Sequence, residues 1–192
     1  MFQFVNVVKM KIIFKLLILV LCFGFSTKTQ AQSIIEWSKD YKLKWSDFKA
    51  EADTTILAFA NTVYKIEILP TNVAVDSNNH IQNYEALTAV AQFYAKLSWV
   101  YEEDDNLLKH EQLHFDIAEL YARKLRLEFE KLKQEKNANF NAYSAAYNKL
   151  WAECKALQMK YDSETNHGIF IEENQKWEND ILNKLNSIKS IH

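Results

Sequence analysis

Glycine occurs twice, proline once and cysteine twice in 192 residues. So little Gly and Pro leaves no low-complexity tract, linker or internal repeat, and length and composition suggest one domain. Of the cysteines, Cys22 sits inside an apolar run, which leaves Cys154 as the single thiol beyond it. One thiol makes no internal disulfide and excludes a Cys-x-x-Cys metal site, so stability has to come from packing. A basic excess is also missing, with 23 Lys and Arg against 25 Asp and Glu. Without basic patches, neither nucleic acid nor an anionic membrane surface is expected as a partner. Long hydrophobic runs are absent too. The ten apolar residues from Leu16 to Phe25 are too few to cross a hydrocarbon core of roughly 30 Å as a helix.

That run follows Lys9, Lys11 and Lys15 and precedes Thr29-Gln30-Ala31, with Met10 as an alternative start. The pattern predicts a secretory signal peptide over residues 1–31, and export to the periplasm or beyond the cell. Its removal takes away four lysines and no acid, leaving a mildly acidic protein with no membrane insertion after cleavage. What is abundant is apolar and aromatic surface, 48% and 14% of the chain, ample for a buried core in residues 32–192.

Trp37, Tyr41, Leu43, Trp45 and Phe48 read as anchors on an extended, partly stranded lead-in. Ile56 to Leu69 is rich in β-branched residues and stops at Pro70, which predicts a strand or a bent pair of strands. Asp76-Ser77-Asn78-Asn79 marks a turn. Between Ile81 and Val100 the Ala-rich stretch suits a helix, but Leu87, Ala89, Ala91 and Phe93 alternate, and a strand is the expectation. No Gly or Pro interrupts Tyr101 to Asn137, a long helix with Asp104 or Asp105 at its N-cap. Helices follow over about Phe140 to Lys160 and Phe170 to Ile188, separated by YDSETNHG. Strands early and helices late predict an α+β fold: a small antiparallel sheet, then three helices.

The chemistry lies in the long helix. His110, Glu111 and His114 form a His-Glu-x-x-His motif. Histidines four apart share one helix face and can bind one metal ion, while Glu111 reaches a water beside it. Leu107, His110, His114, Ile117 and Tyr121 form one stripe, and Phe115, Ala118, Ala122, Leu125 and Phe129 a second that faces a core. A catalytic zinc site takes three protein ligands. Asp116 and Glu119 are turned about 200° and 140° from His114 and read as surface acids. His80 lies in a polar turn and His192 at the C-terminus. His167 is the preferred third ligand: it sits in the break between two helices, beside Gly168, the one glycine outside the leader. Glu164 is the fallback, and Asp162 is a hydrogen-bond partner for a ligating imidazole. Tyr161 is placed to donate to an oxyanion.

HEQLHFDIAELYARKL, the preceding Ser98-Trp99-Val100, the early LKWSDFKAEAD, and YDSETNHG with Gln175 and Trp177 behind it occur in this order. Together they resemble the bacterial domain-of-unknown-function family 922, described as predicted secreted zinc-dependent proteases, over about Trp37 to Trp177. Leu113 stands where that family often has glycine. The resemblance implies a zincin-like metalloprotease domain, Zn2+ on His110, His114 and His167, Glu111 as general base, and a peptide or protein substrate. The competing expectation is an exported protein that binds zinc or a partner without catalysis.

Overall fold

A computed structural model describes residues 34–56 and 58–188; the leader expected over 1–31 lies outside them. Strand β1 (Ile34–Glu36), β2 (Ala60–Asn61), β3 (Tyr64–Leu69), β4 (Thr88–Tyr94) and β5 (Trp99–Val100) precede three helices: α1 (Asp105–Gln134), α2 (Phe140–Thr165) and α3 (Ile171–Ser187). The fold is α+β, with a small antiparallel sheet followed by three helices. Among the described residues no helix is long and apolar enough to cross a membrane.

Period-two alternation decides β4. Ala89, Ala91 and Phe93 are each 0% exposed, with their neighbours less buried, because α1 covers that face. Strand β4 is central, pairing with β3 from Tyr64↔Phe93 to Leu69↔Thr88 and with β1 from Ile34↔Tyr94 to Glu36↔Gln92. Phe93 meets Phe48 and Phe115 at ring-centroid distances of 5.2 and 6.0 Å. Burying such a ring stabilises the fold by roughly 1.5–3 kcal/mol. Strands β2 and β5 pair separately, Ala60↔Val100 and Asn61↔Trp99, just before α1 begins.

Helix α1 starts where Asp104 accepts hydrogen bonds from the Asn106 and Leu107 amides at 2.8 and 3.0 Å. The expected core stripe of Phe115, Ala118, Ala122, Leu125 and Phe129 is buried, and so are Ile117, Leu120 and Tyr121. The helix is therefore central, with the sheet on one side and α2 and α3 on others.

Two acids on α1 correct the sequence reading. Asp116 and Glu119 are only 8% and 5% exposed. Asp116 accepts from Trp37 Nε1 at 2.6 Å and Gln112 Nε2 at 2.7 Å and lies 3.3 Å from Lys42 Nζ. Glu119 pairs with Arg123 Nε and Arg126 at 2.9 and 2.8 Å. Both face away from the histidines, as the helical angle requires, but what lies on that side is the N-terminal lead-in and sheet rather than solvent.

The break expected at YDSETNHG falls later. Helix α2 continues to Thr165, and the chain reverses through Asn166, His167 and Gly168 at φ of 49°, 54° and 84°. Glycine tolerates such a φ without cost. Here Gly168 has a second reason, because a Cβ on it would lie 2.9 Å from both Cβ and Cγ of His110.

Candidate metal centre

One turn of α1 separates His110 from His114, so their rings sit nearly perpendicular with centroids 4.6 Å apart and Nε2 atoms 3.1 Å apart. Helix α2 crosses them. Its Asp162 places Oδ1 at 3.2 Å from His110 Nε2 and 3.0 Å from His114 Nε2. Among the described residues, His110, His114 and Asp162 are the group whose ligand atoms all lie within 4.8 Å of one another.

One helical turn before Asp162, Gln158 holds His114 in place. Its Nε2 donates to the His114 carbonyl at 2.9 Å, so its Oε1 is the atom facing His114 Nδ1 at 2.5 Å. Nδ1 must then carry the proton, and in the neutral ring Nε2 presents a lone pair. That lone pair, His110 Nε2 and a carboxylate oxygen converge on one point. Acceptors held this closely require a proton or a cation among them. Burial disfavours charge on both groups, yet the histidines hold the Asp162 carboxyl well below the usual carboxylate range. Burial likewise opposes charge on His114, but the hydrogen bond its ring donates to Asp162 and the charge of Glu111 outweigh it and raise its pKa.

The donor set also fits a metal ion. A four-coordinate zinc with bonds of about 2.0–2.1 Å separates its ligands by roughly 3.3 Å, close to the 3.0–3.2 Å found here. Two imidazoles and one carboxylate suit a divalent first-row ion such as zinc or iron(II).

Glu111 is 4% exposed and its Oε2 has no hydrogen-bond partner. A buried carboxylate oxygen left unpaired is costly, and Glu111 is among the residues lining the cleft with the histidines and Asp162. The cleft holds about 560 Å³, with Ala58 to Thr62 on its far wall.

His167 is at the mouth of the same cleft, its side chain 74% exposed and Nδ1 3.8 Å from Asp162 Oδ1. The third converging atom therefore belongs to Asp162, which the sequence reading placed behind the ligands. Continuation of the helix through Asp162 turns it toward α1, whereas the reversal at Asn166 leaves His167 at the surface. Glu164 faces elsewhere, accepting from Trp177 Nε1 at 3.0 Å and lying 3.7 Å from Lys160. His80 pairs with Asp76 at 3.9 Å, away from the cleft, and His192 lies outside the described residues.

Tyr161 is likewise not where oxyanion donation would need it. It is 0% exposed, and its ring stacks on His110 at 4.6 Å with an interplanar angle of 27°. Its hydroxyl donates to Asn174 Oδ1 on α3, with the His110 carbonyl at 3.4 Å. Burial, followed by the charge of Glu111, raises its pKa, so it stays a neutral phenol. Its position makes it a support beneath His110. The sequence signal for both corrections was present: Cys154, Gln158, Tyr161 and Thr165 are all buried and extend a 4, 3, 4 spacing through the supposed break.

A family model described as "Bacterial protein of unknown function (DUF922)" matches residues 38–168. No curated protein and no solved structure matches the chain.

Proposed function

We propose that this chain, which belongs to the DUF922 family of bacterial proteins, is an exported zinc-dependent hydrolase that cleaves peptide bonds. The observation that carries this reading is the meeting of three ligand atoms from His110, His114 and Asp162 beside the unpaired Oε2 of Glu111 in one open cleft. Bound there, zinc supplies Lewis acidity, polarising a carbonyl and acidifying a water.

The protein's own residues do the rest. His110 and His114 would hold the ion through Nε2, the latter with its tautomer set by Gln158. Asp162 adds one negative charge, so the set offsets half the charge of a divalent ion and leaves the centre electrophilic. Glu111, through Oε2, takes a proton from the attacking water and passes it to the leaving amine. Stacked Tyr161 keeps the His110 ring from tilting. The mouth of the cleft carries His167, whose exposed imidazole is free to donate to a substrate oxygen. The expected leader over 1–31 supports export, which puts peptides outside the cytoplasm among its substrates.

The test is hydrolysis of a quenched peptide library by the zinc-loaded wild type and by Glu111→Gln. The variant keeps its metal and loses turnover by about 10²-fold or more. Full turnover in the variant would remove Glu111 as the base.

A further inference from the structure

Three of the exposed large apolar side chains stand together beside the metal cleft. Phe59, Ile169 and Ile171 are 53%, 62% and 57% exposed. They come from three separate segments: the approach to β2, the reversal after α2, and the first residue of α3. With Leu107 of α1 they wall a cavity of about 390 Å³. Phe59, Leu107, His167 and Ile169 line this cavity and the metal cleft alike, so the two adjoin. Surface of this kind, rimmed by polar groups and opening into a site, costs free energy unless something covers it during function.

The polar part of the lining is two acids, Glu102 and Asp104, with Asn106 and His167. Glu102 and Asp104 stand at its edge, and the described lining holds no Lys or Arg. The Asp104 carboxylate is already engaged with two amides of the first turn of α1. The cavity therefore favours an apolar side chain, and rejects an acidic one by repulsion from like charge.

We propose that this cavity is the specificity subsite of the enzyme, taking a large apolar side chain, Leu or Phe in type, from a peptide residue flanking the bond to be cleaved. The proposal rests on the hydrolase reading above for its occupant, a peptide lying across the metal cleft. The shared wall points to that occupant: a peptide laid over Glu111 and the histidines would pass Phe59 and Ile169, which line both cavities.

The experiment measures binding without turnover. The full chain carrying Glu111→Gln and loaded with zinc is titrated into short, blocked, fluorescein-labelled peptides, with one position varied in turn among Phe, Leu, Gly and Asp, and anisotropy is read. At one position Phe and Leu bind about tenfold more tightly than Gly, and Asp binds most weakly. Phe59→Ser with Ile171→Ser abolishes the preference, while Leu182→Ser, at a side chain 52% exposed on α3, leaves it intact. Equal binding of all four, no binding of any, or a preference that survives the double substitution overturns the subsite. Should that happen while the wild type still shows Glu111-dependent hydrolysis, the subsite alone falls. Apolar-selective binding with no hydrolysis by the wild type sustains the subsite and removes the hydrolase.

Discussion

Gln158 and His114 are joined twice, through Nε2 of the amide to the His114 carbonyl at 2.9 Å and through Oε1 to the ring Nδ1 at 2.5 Å. The first bond fixes which way the amide points, and the second then fixes the imidazole tautomer. Gln158→Leu keeps the apolar bulk and removes both. Outer partners of this kind are worth 10–100-fold in metal affinity, and a loss of about that size is expected in competition with a chromophoric chelator. Unchanged affinity would mean that the tautomer is set by something else.

Gly168 touches His110, and its φ of 84° suits no other residue well. Gly168→Ala puts a methyl group against the Cβ and Cγ of His110, which must shift. The expected cost is about 1–3 kcal/mol, read as a lower denaturant midpoint, together with weaker metal binding. A variant as stable as the wild type would contradict the close approach.

Asp116 ties the N-terminal lead-in to α1. Asp116→Ala removes the partner of the half-buried Trp37 indole N–H and Gln112 amide, which costs about 0.5–1.5 kcal/mol for each hydrogen bond lost. Urea unfolding should show the loss. Since Asp116 points away from the cleft, metal content per folded chain should not change.

Cys154 is 0% exposed, and burial pushes its thiol up to about 12, with Gln158 and Lys124 pulling weakly the other way. The unfolded chain ionises a thiol near 8.5. Because the folded value is the higher one, the contribution of this group to stability is full below the unfolded pKa. It declines as pH rises from about 8.5 toward the folded value. The native thiol should resist iodoacetamide at pH 8 and react once the chain is unfolded. Ready labelling of the folded protein would contradict the burial.

Much of this was legible in the residues. Helix α1 showed itself because no Gly or Pro interrupts it and Asp104 caps it, and β4 because Leu87, Ala89, Ala91 and Phe93 alternate. The pairing of His110 with His114 follows from helical spacing alone. What was not legible depends on one boundary. With α2 ending near Lys160, His167 falls in a break over the first helix and Asp162 behind it. With α2 running to Thr165, Asp162 aligns with Gln158 and points at His114. Terminal turns have weak local signals, and Gly168, read correctly as a position of close approach, marks the reversal three residues past the helix end. Asp116 and Glu119 were misplaced for a different reason: angle on a helix says which way a side chain points, but not what covers that side.

The most direct measurement is the zinc content of the purified full chain in three forms: wild type, Asp162→Asn and His167→Ala. The account predicts about one zinc per chain in the wild type, loss of most of it in Asp162→Asn, and retention in His167→Ala. Zinc that survives Asp162→Asn but disappears with His167→Ala would contradict the assignment of the third ligand, and a wild type that binds no zinc would contradict the metal centre itself.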